Sequence, residues 1–108
     1  SDDMMVLRGV NIFPIQIEKI LMQFKELANN YLITLTTDDN NDNMTVEVEL
    51  EQLFTDDYLR LTSLQKQITR ALKDEILLTP IVKLVPKGTL PVSEGKAVRV
   101  VDKRTVYK

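Results

Sequence analysis

Met44, Val46, Val48 and Leu50 alternate strictly with Thr45, Glu47, Glu49 and Glu51. Successive side chains of a strand point to opposite faces, so this period predicts a strand with one face in the core and one acidic face in water. The run from Tyr31 to Thr37 is β-branched and apolar and predicts a second strand. Between them lies Asp38-Asp39-Asn40-Asn41-Asp42-Asn43. As a calcium loop it offers Asp38, Asn40 and Asp42 at alternate positions, with Glu49 at the twelfth. Its sixth position is Asn43, not the glycine the sharp turn needs, and no exiting helix follows. The segment reads as a polar hairpin turn.

Elsewhere the apolar residues recur with helical spacing. Pro14 opens a first helix at a position where its missing N–H costs nothing. Ile17, Ile20, Leu21 and Phe24 then form one buried stripe, and Asn29-Asn30 ends the helix. A second helix is expected from about Tyr58 to Leu77, burying Leu61, Leu64, Ile68 and Leu72 with Ala71 beside them. Pro80 closes it, and Ile81 to Val85 forms a strand bounded by Pro86. Met4 to Leu7 is a brief extended run closed by Arg8-Gly9, and Ala97 to Val101 is expected as a last short strand. The order predicts a single α+β domain over residues 1–108. It is a two-layer sandwich in which two helices cover one face of a three-stranded antiparallel sheet, with short extra strands at both ends.

Composition narrows the chemistry. The 108 residues, 44% apolar and 28% charged, are ordinary for one soluble domain. There is neither cysteine nor histidine, which removes disulfides, thiolate metal sites and the usual general base. A self-contained hydrolase or metalloenzyme is therefore not expected, and no metal site is proposed. No apolar run approaches the roughly 18 residues of a spanning helix, and Ser1-Asp2-Asp3 lacks the basic start of a signal peptide. A cytoplasmic protein with no membrane partner is the expectation. The net charge of −2 argues weakly against nucleic acid. Lys83, Lys87, Lys96, Arg99, Lys103, Arg104 and Lys108 nonetheless make the last quarter basic, with Tyr107 its only aromatic. Such a tail suits phosphate contacts or a solvated strand face, and charge does not choose between them.

One cation stands apart. Lys96 ends Gly88-Thr89-Leu90-Pro91-Val92-Ser93-Glu94-Gly95-Lys96, a loop punctuated by glycine and proline. An ammonium at the tip, directly after Gly95, suits a cation that swings toward a phosphate or carboxylate, and it suits a structural lysine equally.

The N-terminal run Asp2-Asp3-Met4-Met5-Val6-Leu7-Arg8-Gly9-Val10-Asn11-Ile12-Phe13-Pro14-Ile15-Gln16-Ile17-Glu18 resembles the opening of the C-terminal domain of adenylate-forming acyl-CoA ligases. Arg8-Gly9-Val10-Asn11-Ile12-Phe13-Pro14 is similar to the phenylacetate-CoA ligase branch. So is the tail Gly88-Thr89-Leu90-Pro91, Ser93-Glu94-Gly95-Lys96-Ala97 and Arg99-Val100-Val101-Asp102-Lys103-Arg104. The likeness covers essentially the whole chain, specific at both ends and generic in the middle.

The resemblance implies that the chain is the mobile C-terminal domain of a longer ligase, with the ATP- and acid-binding N-terminal domain absent and acting as its partner. Its substrates would be ATP with Mg2+, an aryl carboxylic acid and CoA, none held tightly by this piece alone, which is expected to be inactive. An acyl-adenylate forms first, releasing pyrophosphate; CoA then displaces AMP after the domain rotates. By resemblance Lys96 is the catalytic lysine of adenylation, with Glu94 and Gly95 in its supporting loop. Asp2 is the hinge. Gly9 lines the pantetheine path, with Arg8 and Asn11 beside it, although Gly9 can equally serve a tight turn. Arg99 and Arg104 are left between CoA phosphates, the larger domain and a solvated strand. Val92 stands where a basic residue is frequent in the family. A homodimer is left open. A small non-catalytic, ligand-binding regulatory α+β domain is the alternative, and it has no need of an exposed Gly-Lys tip. A split-β nucleic-acid-binding domain is disfavoured by the charge and by the lack of aromatics on the strands.

Overall fold

The computed structural model describes residues 4–52, 57–93, 95–97 and 99–105, with backbone alone at 93, 96 and 97. The chain opens with a hairpin, β1 (Met5–Leu7) and β2 (Val10–Ile12), before helix α1 (Pro14–Leu21). The long strands β3 (Leu27–Asp38) and β4 (Asn41–Leu50) follow, then helix α2 (Tyr58–Ile76) and strand β5 (Ile81–Val85). Two short strands, β6 (Val92–Ser93) and β7 (Lys96–Ala97), make a second hairpin, and β8 (Val100–Asp102) comes last.

The expected α+β class and two helices are present, but the sheet differs from the expected one. It has four strands in the order β5-β4-β3-β8 and is mixed. Only β3 and β4 are antiparallel; β5 runs parallel to β4, and β8 runs parallel to β3. The reason lies in α2. Its 19 residues reach about 28 Å at 1.5 Å per residue, enough to carry the chain back along β4. A strand, a crossover helix and a strand return in parallel register, whereas an antiparallel neighbour needs only a short turn.

Helix α1 is also shorter than its apolar stripe predicts. The Gln16 side chain accepts the Phe13 N–H at 2.8 Å to cap its start, but the helix ends at Leu21. Gln23 and Phe24 then donate to the Ile20 and Leu21 carbonyls, tightening the exit. Residues 27–30 join β3, where Leu27 pairs with Leu50, and the register shifts between Leu27 and Tyr31. Pairing with β4 overrides the helical pattern there.

The central hairpin turns on Asp39 and Asn40, with φ of 50° and 66°. These are the angles of a type I′ turn, as the polar segment suggested, although β3 reaches one residue and β4 three residues further into it than expected. Tyr31, Ile33, Leu35, Met44, Val46 and Val48 form one face of the central pair and lie in the same core as Ile17 and Leu21 of α1 and Leu64, Ile68, Leu72 and Ile76 of α2. Each fully buried aliphatic contributes about 1.5–3 kcal/mol. Leu61 and Ala71 are partly buried at its margin.

Helix α2 begins at Asp57, whose carboxylate accepts the Arg60 N–H at 2.9 Å, and ends at Leu77, held at φ 65° and ψ 18°. Left-handed backbone is strained for a side chain with a Cβ. Leu77 is 77% exposed, so its side chain contributes little packing. Leu77→Gly is expected to stabilise the domain by about 0.5–1 kcal/mol, read as a higher urea midpoint at unchanged m-value.

Candidate functional site: two hairpins at opposite ends of the sheet

The β1–β2 hairpin carries the Gly9 candidate. Arg8 and Gly9 occupy its two-residue turn with φ of 49° and 77°, as a type I′ turn requires. A Cβ placed on Gly9 would meet nothing within 4 Å. Backbone conformation, not local crowding, is thus what this domain asks of the glycine. Asn11 is exposed on β2, opposite Val6. The Arg8 side chain is engaged inside the domain: Nε donates to the Asp42 carbonyl at 2.8 Å and Nη2 to Asn43 Oδ1 at 2.7 Å.

Arg104 fastens the same hairpin from the other side. Nη1 donates to the Val6 carbonyl at 2.6 Å and to Asp42 Oδ2 at 3.0 Å, while Nη2 meets Asp102 Oδ2 at 2.9 Å. The Asp102 carboxyl is held below its ordinary value, first by the Arg104 side-chain hydrogen bond, against a smaller opposing effect of burial. Arg104 in turn is pushed up by Asp102, against burial, and further by Asp42. Lys103 donates its backbone N–H to Leu35 at 2.8 Å, continuing the β8 pairing. The structure gives Arg104 a role outside the options left open for it: a clamp that joins the tail, the first hairpin and the β3–β4 turn.

The Lys96 position lies at the opposite end of the central strands. Lys96 is the first residue of β7, paired with Ser93, rather than the tip of an irregular loop. Gly95 precedes it at φ 76°. The single expected strand from Ala97 to Val101 is two pieces, because the chain changes partner from β6 to β3 between them. Arg99 leaves this hairpin tied down: Nη1 donates to the Asn29 carbonyl at 3.1 Å and to Asn30 Oδ1 at 3.3 Å, and its guanidinium carbon lies 4.5 Å from the Tyr31 ring centroid. The Asp2 hinge and the Glu94 candidates fall outside the described residues.

Glu49 departs most from its sequence expectation. Placed on the solvated face by the alternation, it is 3% exposed. The loop after β5 folds over it. Its Oε2 accepts the Leu90 N–H at 2.9 Å and Asn30 Nδ2 at 3.0 Å. Burial raises its pKa, but hydrogen bonds from the Gly88 and Leu90 backbone and from Asn30, together with the Lys87 charge, outweigh that and hold the carboxyl below its ordinary value. Nothing in the residue pattern singles Glu49 out from Glu47 and Glu51; only the covering loop does.

The two hairpins are therefore anchored at opposite ends of one strand, the first at Asp42 and the second at Glu49. Seven residues separate these anchors, about 23 Å at the usual strand rise of 3.3 Å per residue. Among the described residues no group of three or more carboxylates is gathered to hold a metal ion, and no helix is long and apolar enough to cross a membrane.

Residues 9–104 match the family model for the AMP-binding enzyme C-terminal domain. The chain is 35% identical to phenylacetate-coenzyme A ligase of Escherichia coli K12 over 98% of its own length and 24% of that protein's. A crystal structure of a domain of phenylacetate-coenzyme A ligase from Bacteroides vulgatus is similar with a TM-score of 0.89 at 68% identity, covering 98% of this chain and 97% of that one. 2-Hydroxyisobutyryl-CoA ligase, solved with 2-HIB-AMP and CoA in the thioesterification state, is similar with a TM-score of 0.84 at 26% identity, over 95% of this chain and 22% of that one. The chain spans about a quarter of the length of the curated relatives it matches.

Proposed function

The chain belongs to the AMP-binding enzyme C-terminal domain family, and we propose that it serves as the mobile C-terminal domain of a phenylacetate-CoA ligase. The observation that carries this reading is the pair of hairpins, one bearing Lys96 and the other Gly9, whose anchors Glu49 and Asp42 lie about 23 Å apart along β4 by the strand rise. A domain that works in two steps needs two working ends, and each must hold its shape while the whole body turns.

In the first step a carboxylate oxygen of the acid attacks the α-phosphorus of ATP, and the bond to pyrophosphate breaks. Lys96 supplies a permanent positive charge to the phosphate and carboxylate oxygens as negative charge grows there, without taking a proton. The Mg2+ ion travels with ATP as part of the substrate. Asp2 is the pivot for the rotation that follows. In the second step the CoA thiol attacks the acyl carbon and AMP leaves, with the Gly9 turn beside the pantetheine arm. Arg8 and Asn11 flank that arm. With its guanidinium engaged by Asp42 and Asn43, Arg8 acts mainly by fixing the turn.

The test is AMP and pyrophosphate formation by the full-length protein supplied with ATP, Mg2+, CoA and phenylacetate. Equimolar AMP and phenylacetyl-CoA is the expected result. Absence of AMP formation with phenylacetate and with other aryl acids would sink the proposal. The isolated domain is expected to give no product.

A further inference from the structure

The hairpin that carries Lys96 leaves the body of the domain after Leu90 and returns at Arg99. One pair of side chains meets both stems. Glu49 Oε2 accepts the Leu90 N–H at 2.9 Å on the outgoing stem and Asn30 Nδ2 at 3.0 Å. The other end of the same amide, Asn30 Oδ1, accepts from Arg99 Nη1 at 3.3 Å on the returning stem. The Arg99 carbonyl then accepts the Ile33 N–H at 2.7 Å, where β8 begins to pair with β3. The irregular register between Leu27 and Tyr31 brings Asn30 into this role, since its side chain sits within the shifted stretch of β3.

Burying a carboxylate is costly unless its lone pairs are satisfied, and a fold that wanted only a covered strand end would use an apolar residue there. Leu50 and Val48, its neighbours, are such residues. Lys87, the nearby cation, pairs with Glu51 at 2.6 Å rather than with Glu49. The Glu49 carboxylate is thus given over to the loop that leads into the second hairpin and, through Asn30, to its returning stem.

We infer that Glu49, acting through Leu90 and through Asn30 to Arg99, is a positioning residue that sets the direction in which the β6–β7 hairpin presents Lys96. The inference rests on the adenylation role proposed for Lys96. A purely structural Glu49 would affect both half-reactions alike, through the amount of folded protein. A positioning Glu49 affects the step that Lys96 serves.

The experiment compares Glu49→Ala, Asn30→Ala and Lys96→Ala in the full-length protein. Two rates are read per folded molecule: acid-dependent pyrophosphate release, and consumption of supplied phenylacetyl-adenylate by CoA. Misplacement of a catalytic group by about 1 Å costs about 100-fold. Glu49→Ala is expected to lower kcat for pyrophosphate release by about 10- to 100-fold, with KM for ATP and the thioester step changed by less than about 3-fold. Asn30→Ala, which keeps the Glu49–Leu90 bond, is expected to give a smaller loss of the same kind. If Glu49→Ala does not fold, the split in Asn30→Ala decides. Equal loss of both half-reactions, or loss of neither, overturns the inference. Pyrophosphate release intact in Lys96→Ala overturns the adenylation reading instead, and the inference with it.

Discussion

Lys96→Ala in the full-length protein is expected to abolish acid-dependent pyrophosphate release while largely sparing the thioester step. Removing one preorganised donor from a developing oxyanion typically costs about 100- to 1,000-fold in kcat, and a full positive charge between two anions belongs at the upper end. The supplied acyl-adenylate should still be consumed by CoA within about 3-fold of the unaltered rate, because the proposed role of Lys96 is confined to adenylation. A quench assay that follows pyrophosphate and acyl-CoA separately reads both. Equal loss of the two would count against a domain that works from two ends.

The second large effect is expected at the other end, for Arg104→Ala. This side chain is 24% exposed and makes ion pairs with Asp42 and Asp102 as well as the bond to the Val6 carbonyl. The pair with Asp102, itself 48% exposed, is partly screened by water, so the total is about 2 kcal/mol rather than the sum of four charged hydrogen bonds. Such a loss lowers Tm by about 8–16 °C for a domain of this size. Arg104→Lys should recover little, since an ammonium does not reproduce the guanidinium fork. The change also carries a pH signature. The folded Asp102 carboxyl titrates below its unfolded value, so its stabilisation is complete above the unfolded pKa and is lost as pH falls through the lower folded one. Urea midpoints should therefore fall below about pH 4 in the unaltered protein and less steeply in Arg104→Ala. Glu49, shifted in the same direction, leaves a residual slope. An unchanged slope would remove the clamp from the account.

The helical stripe of α2 and the alternation of β4 were legible because burial on one face writes a period into the sequence. Leu64, Ile68 and Leu72 lie where that period put them. Both turn pairs, Arg8-Gly9 and Asp39-Asn40, were legible as breaks. What alternation does not carry is the identity of the neighbouring strand. Ile81 to Val85 reads as a strand whichever way it runs, and the parallel direction follows from the length of α2. The end of α1 was hidden for a related reason: Leu27 suits a helix stripe and a strand alike, and only its partner Leu50 decides. At the site, Lys96 and Gly9 stood out through resemblance to a family motif. Glu49 and Asn30 did not, because a carboxylate in an alternating strand looks solvated until a distant loop covers it. Arg104 was visible as a charge, but beyond the adjacent Asp102 its partners lie 62 and 98 residues away.

The parallel seat of β8 beside β3 has a consequence for how the molecule comes into being. Ile33 pairs with Val100, so the outer edge of β3 waits for β8, a strand made long after it. The hairpin of β3 and β4 can close as soon as Leu50 is made, and the crossover through α2 fills the β5 side. The β3 edge, carrying Leu32 and Thr34 between buried neighbours, meanwhile keeps an unpaired row of backbone donors and acceptors. Edges of that kind recruit strands from other chains, and pairing across such sequence separation is slow. Synthesis that stalls before Val100, or a protease that removes β8, would leave the β3 border open in addition to the β5 edge of the same sheet. Strand β8 is therefore also the cover that closes the β3 side of this sheet.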